Sequence, residues 1–115
     1  MINQVVLEMA KTLSNASKKN KAPIWGRLAE LALKPTIAKR TINLGQLDKF
    51  VSDNDVVVVP GKVLGTGSLS HKITLCSFSI SVSSAKKVQQ AGGKIFDISQ
   101  LIKNHPTGKG VKIIG

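Results

Sequence analysis

The chain has 115 residues, 42% of them apolar, and carries 17 Lys and Arg against 6 Asp and Glu for a formal charge of +11. That length and apolar content supply one domain with a core and exclude the intrinsically disordered class. The isoelectric point near 10.2 is the electrostatic footprint of a nucleic-acid binder, while the lone cysteine, Cys76, excludes an internal disulfide and a zinc quartet.

Residues 2–19 are predicted to form a helix: Val5, Val6, Met9 and Leu13 recur at helical spacing behind Asn3, a residue suited to N-capping. Residues 1–11 lack the basic-then-apolar layout of a signal peptide, and no stretch approaches the roughly 18 apolar residues of a membrane span, so a cytoplasmic protein without membrane contact is expected. The basic stretch Ser17, Lys18, Lys19, Asn20, Lys21 is predicted to connect this helix to a second. Ala22-Pro23 opens that helix, Ile24, Leu28 and Leu31 share its apolar face, and Lys34-Pro35 ends it. The expected unit is an antiparallel helical hairpin with a cationic loop.

Beyond Pro35 the pattern changes. Val56-Val57-Val58-Val59 is a β-branched run suited to a strand covered on both faces, with Pro60-Gly61 as its stop. Cys76, Phe78, Ile80 and Val82 alternate with Ser77, Ser79, Ser81 and Ser83, a period of two that turns one apolar face to a core. Ser83 or Ser84 is expected to cap a short helix through Ala91, Gly92-Gly93 to stop it, and Val111 to Ile114 to form a last strand. A weak internal repeat lies 54 residues apart: Ile42-Asn43-Leu44-Gly45-Gln46-Leu47-Asp48-Lys49 parallels Phe96-Asp97-Ile98-Ser99-Gln100-Leu101-Ile102-Lys103. Each copy has an apolar residue leaving a strand, an Asn or Asp able to cap, then a turn carrying Gln-Leu-x-Lys. This reads as one strand-to-helix corner used twice.

The stretch Pro60-Gly61-Lys62-Val63-Leu64-Gly65-Thr66-Gly67-Ser68 invites a nucleotide-binding reading, which its spacing does not support. A phosphate-binding P-loop needs a Gly five residues before its Gly-Lys pair and Ser or Thr after it, but Val63 follows Lys62. A dinucleotide fingerprint needs a third Gly where Ser70 stands. What remains is an exposed loop whose backbone N–H groups and Lys62 can meet phosphate, or a plain turn. His71 and His105 are the only histidines and the six acids are scattered, so neither acid–base catalysis nor a metal site is expected. His71-Lys72 reads more simply as an RNA contact.

The cations are unevenly placed. Residues 1–40 hold eight Lys or Arg against Glu8 and Glu30, residues 41–75 hold three against three, and residues 76–115 hold six Lys against Asp97. Two basic faces meeting phosphate follow, with Lys18, Lys19, Lys21, Arg27, Lys34, Lys39 and Arg40 in the first and Lys109 and Lys112 among the second. Aromatics are four in number, Trp25, Phe50, Phe78 and Phe96. So few favour recognition of backbone charge and shape over stacking of unpaired bases. Trp25, beside Lys21 and Arg27, is the candidate for stacking, with burial against the first helix as its alternative.

Several of these motifs together carry a family resemblance. Asp55-Val-Val-Val-Val-Pro-Gly-Lys-Val-Leu-Gly65, then Gly67, Leu69 and His71-Lys72, resembles the archaeal and eukaryotic large-subunit ribosomal protein family 18e. So do Ala22-Pro23-Ile24-Trp25, Ala91-Gly92-Gly93 and the ending Gly108-x-Gly110-Val111-x-Ile113-Ile114-Gly115. That family is related to the bacterial-type ribosomal protein family 15. The resemblance runs from end to end and implies an α/β fold, an irregular β-β-α superhelical repeat core (36–115) preceded by an N-terminal helical hairpin (1–35), in one domain. It also implies a structural protein without enzyme activity or cofactor, bound to large-subunit ribosomal RNA among neighbouring ribosomal proteins. Relatives are commonly richer in arginine where this chain reads Pro35-Thr36-Ile37-Ala38-Lys39-Arg40, and Lys lacks Arg's bidentate fork.

Two rival readings make different predictions. A small nucleotide-binding protein using residues 61–68 predicts mononucleotide binding lost in Lys62→Ala. A protein-interaction module whose charge serves solubility predicts partners that resist nuclease.

Overall fold

The structure, a computed structural model, describes residues 4–34 and 40–114. Asn3 and Pro35, expected to bracket the hairpin, and the side chains of Val5 and Val6 lie outside the described residues. Helix α1 (Gln4–Asn20) and helix α2 (Pro23–Leu33) join through Lys21-Ala22 alone, with Lys21 at φ 50°. The basic stretch expected as a loop is therefore mostly the last turn of α1. Lys18 and Lys19 stand there, where the negative end of the helix dipole favours cations. Pro23 sits in the first turn of α2, and Lys34, the residue before a proline, ends the helix with an extended ψ of 129°. Leu13, Ala16, Trp25, Leu28 and Leu31 hold the pair together in one apolar cluster.

The remaining elements follow in the order β1 (Thr41–Asn43), α3 (Leu44–Asp48), β2 (Val56–Leu64), β3 (Thr74–Ile80), α4 (Val82–Gln90), β4 (Lys94–Ile95), α5 (Ile98–Asn104) and β5 (Val111–Ile113). Every pairing is parallel, in the order β1-β2-β3-β4, with β5 also on β2. Long β2 carries β3 along one edge. On its other edge two short strands lie end to end, β5 against Val56–Val58 and β1 against Lys62–Leu64. Val58, Cys76, Ile98 and Leu101 join the hairpin cluster on one face of the sheet. Leu44, Leu47, Val57, Val59, Leu75 and Val88 form the cluster on the other face. Thus α3 and α4, whose crossovers step the same way across the sheet, share a face. The α5 crossover steps back and lies opposite, as a single crossover handedness requires. The α/β class and the N-terminal helical pair agree with the sequence reading.

Three local expectations are corrected. Pro60-Gly61 does not end the valine strand: β2 continues to Leu64, and the register against β3 shifts between Val59 and Lys62. Proline is tolerated because it falls where β5 has ended and β1 has not begun. Gly61 is required there, since a Cβ would come 2.9 Å from the Arg40 carbonyl oxygen. The alternation from Cys76 stops early. Cys76 and Phe78 face the hairpin, Ile80 packs on the opposite cluster, and Val82 is 74% exposed at the start of α4. The α4 cap is Ser81, whose hydroxyl accepts from the Ser84 N–H at 3.2 Å. Ser84 is instead buried, donating to the Val63 carbonyl at 3.0 Å. The stop at Gly92 stands, with φ at +86°.

The repeat is real in three dimensions. Asn43 caps α3 by accepting from the Gln46 N–H at 2.8 Å, while the Asn43 N–H donates to the Gln46 side chain at 3.1 Å. Asp97 and Gln100 form the same reciprocal box on α5, at 2.7 and 3.0 Å. Each box ends a short strand and satisfies two helix-end donors that have no partner within the helix.

Candidate nucleic-acid interface

The acids explain why so much positive charge is left over. All four aspartates accept a backbone N–H: Asp48 from Ser70 at 2.9 Å, Asp53 from Lys72 at 3.2 Å, Asp55 from Ser52 at 2.8 Å and Asp97 from Gln100 at 2.7 Å. These carboxylates serve as ligands of turns and caps. The Ser70 N–H, with help from the Ser70 hydroxyl and His71, holds the Asp48 carboxyl below its ordinary range. Lys112, 2.8 Å away, and the Ser52 N–H do the same for Asp55.

Most of the expected contact residues stand exposed. Lys18, Lys19 and Lys21 project from the end of α1 and the turn after it, Arg27 from α2, and Lys34 from its C-terminal cap. Arg40 is exposed ahead of β1, and its carbonyl oxygen accepts from the Lys62 N–H at 2.9 Å. Lys62 is exposed on β2, within a strand and not in a loop. Lys72 is exposed and lines a cleft of about 240 Å³ with Lys94 and Gly92-Gly93. Lys109 is exposed in the turn before β5, and Lys112 is exposed on β5 while paired with Asp55. Lys39 lies outside the described residues.

Two expectations change character. Trp25 is 0% exposed, and its indole Nε1 donates to the Pro106 carbonyl oxygen at 2.7 Å. Its ring is walled in by the hairpin core and offers no face for a base, so the stacking role is withdrawn. His71 is half-buried, with Nδ1 2.7 Å from Asp48 Oδ1. An ionised carboxylate accepts only, which selects the tautomer carrying its proton on Nδ1. Ser70, His71 and Asp48 together clip the 65–73 connection onto the end of α3.

That connection is also not the open cradle expected of residues 61–68. Gly61 and Val63 are buried in β2. The Lys87 ammonium donates to the carbonyl oxygens of Gly65 and Gly67 at 2.5 and 2.7 Å, and the Gly45 N–H donates to the Thr66 carbonyl at 3.1 Å. Gly67, at φ +86°, passes so close to α3 that a Cβ would meet Gly45 at 2.8 Å. The loop is fastened to its own protein. Cys76 is buried, and burial pushes its thiol up to about 12, which removes it as a nucleophile. Among the described residues no three His, Cys, Asp or Glu side chains come together.

Sequence reasoning missed Lys49 and Lys103 as candidate contacts. Lys49 lines a cleft of about 400 Å³ with Arg40, and Lys103 lines one of about 510 Å³ with Lys19. The signal was present: they are the matching lysines that close the two copies of the repeat. Phe50, 64% exposed at the first of these clefts, was missed as well.

Fold and surface define a small cationic α/β scaffold whose carboxylates are engaged within its own frame. Residues 26–96 match the model of the family that groups ribosomal proteins 50S-L15 and 50S-L18e with their 60S counterpart, and the chain belongs to this family. Large ribosomal subunit protein eL18 of Archaeoglobus fulgidus is 36% identical over 97% of this chain and 96% of its own length. The proteins of the same name from Pyrobaculum aerophilum and Methanococcus maripaludis are 38% and 37% identical, over 97% and 93% of this chain and 92% and 89% of their own lengths.

Proposed function

We propose that this chain is a structural constituent of the large ribosomal subunit that binds folded ribosomal RNA and performs no catalysis. The observation that carries this reading is end-to-end likeness to relatives named as large ribosomal subunit proteins. The surplus of exposed lysine and arginine gives it a mechanism. The whole chain acts as one RNA-binding unit, the hairpin and core presenting cations to phosphates of separate RNA segments and releasing their counterions. Lys18, Lys19, Lys21 and Lys103 form one group at the hairpin end. Arg40, Lys49, Lys62 and Lys112 form another along the open edge of the sheet. Rigid presentation matters because a double-stranded RNA is read by shape and backbone. The protein is accordingly placed on cytoplasmic ribosomes beside other ribosomal proteins.

Sedimentation tests this reading. The chain is expected to travel with large subunits and to be released when nuclease destroys the RNA. Purified large subunits from the source cell that lack it would overturn the assignment.

A further inference from the structure

The open edge of the sheet carries an arrangement that charge neutralisation does not use. Strands β5 and β1 lie end to end beside β2 and leave a notch at Val59, Pro60 and Gly61. The Ile114 N–H donates to the Val58 carbonyl oxygen and the Lys62 N–H to that of Arg40, both at 2.9 Å, so the notch is bracketed by hydrogen bonds. Phe50 overhangs it. The ring belongs both to the cleft over the notch and to the adjoining one lined by Ile113 and Ile114, and Ile42 is common to the two. A single exposed apolar side chain needs no explanation. Phe50 is different because it is fixed: its N–H donates to the Leu47 carbonyl oxygen at 3.0 Å, and both Leu47 and Val51 are buried. The protein holds a ring face out between two buried anchors, over a floor of Ile42 and Pro60.

The rim is polar and positive. Arg40, Lys49 and Gln46 border the cleft over the notch, and Lys112 borders the adjoining one. Neither cleft is lined by Asp or Glu among the described residues. An apolar slot with an aromatic wall, an amide at hand and cations around it has the complementarity of a nucleotide: base inside, phosphates on the rim. We infer that the Phe50 notch receives one unpaired base of RNA, stacked on the Phe50 ring, with its flanking phosphates on Lys49 and Arg40. This rests on the RNA-binding reading above and adds to it a contact that reads a base where the other cations read the backbone.

The test uses the full chain with a transcript of the large-subunit ribosomal RNA from the source cell. Phe50→Ala is expected to weaken binding about tenfold, within the range measured for loss of one base–aromatic stack. Phe50→Trp should retain affinity and Phe50→Leu should not. The slope of log affinity against log salt should stay unchanged in all three, because no cation is removed. In purified large subunits, zero-length ultraviolet cross-linking should join a nucleotide to the peptide containing Phe50. Equal affinities for wild type and Phe50→Ala overturn the inference and leave RNA binding intact. A cross-link from this peptide to another protein in place of RNA overturns it too and gives the notch to a protein neighbour. Failure of the wild-type chain to bind the transcript overturns the functional reading itself.

Discussion

Trp25 is where a side chain's chemistry and its surroundings are most tightly matched. The hairpin and α5 close over an indole whose one donor finds the Pro106 carbonyl oxygen, fastening α2 to the turn ahead of β5. Trp25→Phe keeps an aromatic ring but strands that carbonyl, and a loss of about 1–3 kcal/mol in denaturant unfolding is expected. Asp48 supplies a second residue-scale prediction. Its carboxyl titrates below the ordinary 3.8 in the folded protein, so the unfolded chain binds the proton more readily. Stability from this group is present above pH 3.8 and lost as pH falls through the lower folded value. Asp48→Asn is expected to flatten this part of the acid-unfolding profile, and a profile that keeps its full slope would count against the clip formed with Ser70 and His71.

At the scale of elements, the two capping boxes make a paired prediction. Asn43→Ala and Asp97→Ala should each cost about 0.5–2 kcal/mol, measured by thermal or chemical unfolding, because each removes a cap and frees the Gln that completes it. Features of this kind were legible in the sequence. Capping needs only residues three apart, and the helical period of the hairpin needs only Met9, Leu13, Leu28 and their neighbours. What depended on distant partners was not legible. Pro60-Gly61 reads as a stop from sequence, yet lies mid-strand because the gap between β5 and β1 makes no demand on the Pro60 nitrogen. Ser81 displaces Ser83 and Ser84 as the cap because burial of Ser84 against Val63 sets where α4 begins. Phe50 was not distinguishable from a core residue until β1 and β5 were seen to share one edge of β2.

Over the whole molecule the question is how 17 cations and 6 acids coexist in so small a body. Uniform repulsion would work against a compact state. The aspartates relieve it by turning inward to backbone donors, while Lys87 stabilises the protein's own carbonyl oxygens and Lys112 pairs with Asp55. The other lysines are raised on a frame that holds them apart, at the hairpin end and along the sheet edge. If about six of them meet duplex-like phosphates, log affinity for ribosomal RNA should fall with log salt at a slope near −5. Replacing Lys18, Lys19 and Lys21 together by Gln should make that slope shallower by about one for each phosphate no longer neutralised, with stability little changed because all three are exposed. The measurement is a salt titration of binding to a ribosomal RNA fragment, wild type beside the triple variant. An intact chain with a slope near zero would mean that its charge is not what holds the RNA. A triple variant with an unchanged slope would move the phosphate-binding surface from the hairpin end to the sheet edge, where Arg40, Lys49 and Lys62 stand.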